Sequence, residues 1–389
     1  MLVGVIFMIC KCPNCGKALI YSIENKSLTC PSCNSKFSPS GTIEEELYSQ
    51  FESMECDIYK CTTCGAELTI NDVEAATFCG YCGQPTIVFN RVSSWEKPEK
   101  IIPFSVTRDE AERAIRKYLR KSIFTKKKLR NFKTERICGI YVPFWLYDMD
   151  YRSQQTIKGT EGHGKDARTY YYFRECECSF SNLTVDASKR LDNRSSQRLE
   201  PYDFSDAKDF NIGYLSGFYA DRYDVTSEYG KYDATYNARE LYNEEVIKTI
   251  PAHSVSITAD SPTYKINSVT YALLPVWFLS FLDDKKKCYT IMVNGQTGKV
   301  IGALPYVKAR IIIPTLVLGS LLSMTSFKFV ETLLTGDDIS KTFEVLIALI
   351  AAIVAIFKFG IKYWDKIRTS IYLTTASDIN KYAEERQEE

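Results

Sequence analysis

Eight cysteines carry the clearest chemistry in this sequence. Cys12-Pro-Asn-Cys15-Gly is followed by Cys30-Pro-Ser-Cys33, and Cys61-Thr-Thr-Cys64-Gly by Cys79-Gly-Tyr-Cys82-Gly. In both units the first pair precedes the second by 18 residues, and the units repeat at an offset of 49. A Cys-x-x-Cys turn lets two thiolates reach one ion, and the glycine after it permits a tight knuckle. Two knuckles close a tetrahedral shell, so the spacing predicts two structural Zn2+ sites: Cys12, Cys15, Cys30 and Cys33, then Cys61, Cys64, Cys79 and Cys82. A four-thiolate shell keeps no open position for a substrate. Residues 18–23 and 67–70 are predicted as short strands, which makes each unit a zinc ribbon. Zinc then stands in for a core that so short a unit cannot build, and is worth ~10–16 kcal/mol in small fingers. Cys10 and Cys56 break the spacing and are read as spectators.

A second cluster is cationic. Between Arg113 and Arg136 lie 11 lysines and arginines and one acid, Glu135. Arg113, Arg116, Lys117, Arg120, Lys121, Lys126, Lys127, Lys128 and Arg130 are the candidates for contact with an anionic surface or partner. Lipid headgroups, nucleic acid and an acidic protein all meet that description, and a solvated helix face is the plain alternative. Other chemical-looking strings fail. Gly159-Thr-Glu-Gly-His-Gly164-Lys165-Asp166 approaches a phosphate loop, but Asp166 replaces the Mg2+-binding hydroxyl and a strand is predicted where the motif needs a helix. His163 and His253 have no nucleophile or metal set beside them, and no catalytic constellation emerges, so the chain is read as a non-enzyme.

The chain that positions these residues has 389 residues, a net charge of +1, 14 Cys and 2 His. So balanced a charge sets up no global field for nucleic acid, and the Cys-to-His ratio favours thiolate metal sites over histidine catalysis. The predicted organisation is multidomain: zinc ribbon 1 (1–38), a linker (39–55), zinc ribbon 2 (56–90), an α+β domain (91–306), a helical hairpin (307–362) and a charged tail (363–389). In the α+β domain, Thr107-Arg-Asp-Glu110 is a capping box that starts a helix over 108–121. The string Val142-Pro143-Phe-Trp145 recurs as Leu274-Pro275-Val-Trp277, 132 residues on, each after a predicted helix (108–121 and 235–250). This implies an internal duplication, with Pro-x-Trp marking an edge strand of each half.

Two apolar runs, 311–330 and 343–361, approach the ~20 residues that cross a bilayer. Basic flanks (Lys308, Arg310, Lys362, Lys366, Arg368) against an acidic turn (Glu331, Asp337, Asp338) predict a multi-pass protein of the cell membrane with both termini cytoplasmic. A buried core hairpin is the alternative. Met8, just before the first knuckle, is a candidate start of translation in place of Met1.

The tandem ribbons, the repeated Pro-x-Trp strands with Asn294-Gly-Gln-Thr-Gly298-Lys, and the C-terminal hairpin together resemble the bacterial membrane-anchored zinc-ribbon proteins of the YdjG type, also described as TFIIB-type zinc ribbon-containing. The resemblance covers most of the chain. It implies a non-enzymatic adaptor at the inner membrane face in envelope stress, with a phage-shock-protein-A-like coat protein and a scaffold protein as partners. The eight cysteines are the functional residues it carries over. A membrane-associated nucleic-acid binder is the second reading.

Overall fold

The computed structural model describes residues 5–7, 12–39, 53–57, 59–60, 67–69, 92–121, 137–302 and 309–335, apart from gaps at 18, 163, 189–192, 222, 253 and 283–287, with scattered positions between 346 and 358. The strands are β1 (Val5–Phe7), β2 (Ile20–Ser22), β3 (Ser27–Thr29), β4 (Lys36–Phe37), β5 (Ser53–Asp57), β6 (Tyr59–Lys60), β7 (Glu67–Thr69), β8 (Val92–Glu96), β9 (Lys100–Ile101), β10 (Ile137–Glu161), β11 (Arg168–Asp186), β12 (Lys208–Asp209), β13 (Tyr219–Asp221), β14 (Ser254–Leu282), β15 (Cys288–Asn294) and β16 (Val300–Gly302). The helices are α1 (Arg108–Lys121), α2 (Asn193–Leu199), α3 (Ser227–Lys248) and α4 (Ala309–Thr335). β2, β3 and β4 form the ribbon sheet of the first cysteine unit, and β5 zips antiparallel onto β8 at the two ends of the second. The remaining strands join one large sheet, in which β1 lies between β7 and β13.

The centre of that sheet is an antiparallel pair, β10 and β14, paired from Ile137↔Leu279 to Thr160↔Ser254 with bulges at Asp148/Met149 and Thr156/Ile157. The two Pro-x-Trp strings face each other there: Tyr141 opposes Pro275 and Pro143 opposes Leu273. They are therefore central strands, not the edge strands expected from their prolines. What makes a central proline tolerable is a change of outer neighbour. β10 is flanked by β13 at Ile140–Tyr141 and by β11 from Phe144 onward, so Pro143 falls at the junction, where no ladder donor is required. β14 repeats the device: β9 flanks Ala272–Leu273, β15 begins at Val276, and Pro275 falls between them. Each proline carbonyl accepts from the chain that turns past it, Ala187 N–H at 3.1 Å and Gly295 N–H at 2.8 Å.

The two halves are interlocked about this pair. Short strand β9 of the first half pairs with β14 of the second, and β13 of the second with β10 of the first. The tryptophans cross in the same sense. Trp277 Nε1 donates to the Val106 carbonyl at 2.9 Å, at the entrance to α1, and Trp145 Nε1 donates to the Val225 carbonyl at 2.8 Å, at the entrance to α3. Aromatic rings close both corners: Phe104 packs on Trp277 with centroids 4.9 Å apart, and Tyr223 on Trp145 at 5.1 Å.

Residues 140–147 are buried on both faces of the sheet, which is why they read as an unbroken apolar run rather than an alternating one. Ile140, Val142, Phe144 and Leu146 face a core with Leu199 of α2 and Tyr202. Tyr141, Trp145, Tyr147 and Met149 face the core of α1 and α3. The capping box of α1 forms as its sequence requires: Thr107 N–H donates to Glu110 Oε2 at 2.9 Å and Glu110 N–H to Thr107 Oγ1 at 3.3 Å. Helix α3 begins at Ser227, eight residues before the expected start at 235. Gly230 is what lets the helix approach the sheet. A Cβ there would lie 2.6 Å from the Tyr147 hydroxyl, which donates to the Ser227 carbonyl at 2.6 Å.

The expected membrane hairpin over 307–362 is overturned, and with it the placement as a multi-pass membrane protein with both termini cytoplasmic. Among the described residues no helix is long and apolar enough to cross a membrane. Helix α4 spans the first apolar run, but Pro314, Ser320, Ser323, Thr325 and Ser326 interrupt it, and Arg310, Lys328 and Glu331 lie within it. Ser320 and Thr325 turn their hydroxyls back onto the carbonyls of Val317 and Leu322, each at 2.9 Å. The second run is described only at scattered helical positions.

Candidate metal centre

The sulfurs of Cys12, Cys15, Cys30 and Cys33 lie within 4.8 Å of one another. Cys12 and Cys33 approach to 3.6 Å, Cys15 and Cys30 to 3.5 Å. A tetrahedron of sulfurs ~2.3 Å from a zinc ion has edges of roughly 3.8 Å, so the cluster has the size of a four-thiolate shell and is too open for disulfides. Both knuckles use one backbone device. Gly16 N–H donates to the Cys12 carbonyl at 2.8 Å, and Asn34 N–H to the Cys30 carbonyl at 2.9 Å. The closing residue of each is left-handed, Gly16 at φ +72° and Asn34 at φ 57°. Glycine and asparagine are the residues that enter that region at least cost. Asn14 Nδ2 bonds Ser35 Oγ at 2.8 Å and ties one knuckle to the other.

The charges of the site favour a cation at its centre. Ser35, through its hydroxyl and its backbone, draws the Cys33 thiol down to about 6. Cys15 moves the other way, up to about 12: the backbone bond with Lys17 lowers it, but the neighbouring Cys30, Cys33 and Cys12 sulfurs and burial together raise it more. Four sulfurs this close cannot all be thiolates unless positive charge sits among them. The donor set therefore fits a metal ion, and soft thiolates in a tetrahedron fit zinc. The second expected quartet, Cys61, Cys64, Cys79 and Cys82, lies outside the described residues.

The ribbon is not a free-standing bead. Cys12, Leu19, Tyr21, Leu28 and Cys30 are buried in the same core as Tyr214 and Phe218 of the body. Tyr21 N–H donates to the Ser216 carbonyl at 2.9 Å, and its ring meets Tyr214 edge-on at 5.4 Å. Burial and the Tyr214 hydroxyl push Tyr21 up to about 12. The receiving turn needs its glycines: a Cβ on Gly217, at φ +87°, would lie 2.9 Å from Ile20, and one on Gly213 2.9 Å from the Pro39 carbonyl. A unit read as too short to build a core thus borrows one, and Cys15 and Cys33 stay exposed while Cys12 and Cys30 are sealed.

Of the cationic candidates, Arg113, Arg116, Lys117 and Arg120 come together on the outward side of α1 and line one shallow depression. Lys121 ends the helix, and Lys126, Lys127, Lys128 and Arg130 lie outside the described residues. The rejected phosphate-loop string is the hairpin connection between β10 and β11, with a single 3-10 turn at Gly164–Asp166. Sequence reasoning missed the aromatic stripe of α3. Tyr229, Tyr232 and Tyr236 stand 72%, 77% and 61% exposed on one side of the helix. Their i, i+3, i+7 spacing was the available signal, but the helix was expected to start only at 235, after Tyr229 and Tyr232. On the inward side Asp260 accepts from Ser153 Oγ at 2.5 Å and Gln155 Nε2 at 3.1 Å, and pairs with Arg239 of α3 at 2.6 Å. This cluster holds helix to sheet.

No family model and no solved structure matches this chain. Uncharacterized protein YdjG of Bacillus subtilis (strain 168) is 31% identical to it over 312 residues, which cover 77% of this chain and 91% of the relative. Similarity at that level across nine-tenths of the relative reaches well beyond a shared cysteine motif, and the chain belongs to the YdjG family.

Proposed function

We propose that this protein is an adaptor, an interlocked α+β body stapled by structural zinc that docks a protein partner on the aromatic face of α3. The observation that carries the reading is the stripe Tyr229, Tyr232 and Tyr236, three large side chains more than three-fifths exposed on one helix. Tyrosine gives a broad contact at low cost in rotamer entropy and is enriched where protein interfaces hold their binding energy. The metal's part is architectural. Four cysteines once filled by zinc offer no coordination site to a substrate, and the same geometry is proposed for Cys61, Cys64, Cys79 and Cys82. The coat-like and scaffold proteins implied by the family resemblance are the first partners to try.

Crosslinking and recovery of the full chain from cells tests this, comparing wild type with a Tyr232→Ala, Tyr236→Ala double variant. We expect specific partners to be lost with the double variant while thermal unfolding is unchanged. Recovery of the same partners at the same yield would sink the reading. The cations on α1 favour a second reading, nucleic-acid binding, for which filter binding should fall steeply with salt.

A further inference from the structure

The sheet has two long edges past its corner strands, β11 and the first half of β14, with β10 between them. In an antiparallel pair, alternate residues turn their N–H and C=O toward the partner and the others turn them away. Odd residues of β10 turn toward β11, as the Pro143 carbonyl does in accepting from Ala187 N–H. Their partners on β11, from Phe180 to Arg168, are even-numbered. The backbone groups of Thr169, Tyr171, Phe173, Glu175, Glu177 and Ser179 therefore point off the edge, and among the described residues no strand meets them. By the same count Pro262 of β14, opposite Ser153, turns outward and deletes a donor from its edge, with a bulge on either side of it. From Arg168 to Phe180 β11 has neither a proline nor a register shift. One edge is guarded and the other is left open. We propose that β11 is a self-association edge, which pairs antiparallel with β11 of a second copy of this chain about a twofold axis at Tyr172.

Exposed aromatic rings mark the place. Tyr171 is 67% exposed, Phe173 62% and Tyr170 42%, all at one end of the strand. An axis at Tyr172 sets Tyr171 opposite Phe173 of the second copy and Tyr170 opposite Arg174 of the second copy, each pair formed twice. Arg174 is already positioned: its Nε donates to Thr249 Oγ1 at 3.1 Å, and its guanidinium lies 5.7 Å from the centre of the Tyr172 ring. Its Nη1 also donates to the outward Phe173 carbonyl at 2.9 Å, which keeps a second lone pair for Tyr171 N–H of the second copy. The same axis sets Glu175 opposite Thr169, whereas an axis at Glu175 would bring like charges together. At ~200 Å2 for a whole aromatic side chain, the three rings leave roughly 700 Å2 exposed across two copies, over half of the ~1,200 Å2 at the lower end of stable interfaces.

This edge is separate from the tyrosine stripe of α3, so each can fail alone. The test is sedimentation equilibrium of the full chain over a hundredfold range of concentration, with hydrogen exchange of segment 168–177 at both ends of the range. A reversible dimer is expected, with exchange of that segment at least tenfold slower at the high end. Phe173→Pro copies the device at Pro262 without touching the bonds to β10, and should weaken the dimer at least tenfold. Tyr171→Glu with Phe173→Glu sets carboxylates opposite each other and should do the same, which covers a proline variant that fails to fold. Tyr264→Ala on the guarded edge should change nothing. A monomer throughout overturns the proposal, as does a dimer that both β11 variants leave intact. So does protection of the segment that appears only when cell extract is added, which would give the edge to another protein.

Discussion

Helices α1 and α3 are the same element used twice. Both begin after a valine whose carbonyl is held by a tryptophan of the other half, both follow a threonine at the N-cap position, and both bury every fourth residue against the sheet. Their outward sides share an arginine, Arg120 and Arg239, and otherwise differ. One presents Arg113, Lys117 and Arg120, the other Tyr229, Tyr232 and Tyr236. The comparison teaches that inward register fixes the scaffold while outward positions are open to divergence. The outward positions can then change without disturbing the core.

The interlock makes the largest prediction. A fragment covering 97–188 leaves β9 without β14 and α1 without Trp277, so it should show no cooperative unfolding on its own, and co-expression with 199–302 should restore it. A fragment that folds alone would break the claim that the halves are mutually dependent. Next come the inward counterparts Ala111 and Gly230. Gly230→Ala drives a methyl into the Tyr147 hydroxyl and should cost about 2–3 kcal/mol by chemical denaturation, and the reverse change Ala111→Gly in α1 should cost about 2 kcal/mol, the helix-propensity difference plus the loss of a buried methyl.

Asp260 separates the halves, because its partner Arg239 stands where α1 carries Arg120. Burial pushes the Asp260 carboxyl up, but bonds from Ser153 and Gln155 and the Arg239 charge outweigh it and hold the carboxyl below its ordinary 3.8. A depressed carboxylate stabilises the fold above its unfolded value and loses that contribution as pH falls through its folded value. Asp260→Asn should therefore cost about 2 kcal/mol at neutral pH, since Arg239 is half exposed. The difference from wild type should shrink below pH 3.8. The smallest effect is the best matched. Trp145→Phe and Trp277→Phe each remove one indole N–H bond to a helix entrance and should each cost about 1 kcal/mol beyond the shared packing loss. Unequal bond losses would show that the two corners are not equivalent.

How much of this could be read from residues alone follows from range. The knuckles were legible because Cys-x-x-Cys fixes its own geometry within four residues, and the capping box because Thr107 and Glu110 satisfy each other locally. The repeated Pro-x-Trp strings were visible, but their place was not. A proline argues for an edge, and only the change from β13 to β11 beside Pro143 shows how a central strand accommodates it. The first turns of α3 were missed for a related reason: what Gly230 is for lies in Tyr147, some eighty residues away. The apolar content of 311–330 was legible, but counting apolar residues gave too little weight to the serines and charges that interrupt α4.

The claim on which the rest depends is that Cys12, Cys15, Cys30 and Cys33 form a closed zinc centre seated in the aromatic body. Zinc K-edge X-ray absorption on the full chain, with Cys61 and Cys64 changed to Ser to silence the second quartet, tests it directly. The account predicts zinc surrounded by four sulfurs at ~2.3 Å and nothing else in the shell. Protein that binds no zinc, or a shell containing nitrogen or oxygen, would contradict it.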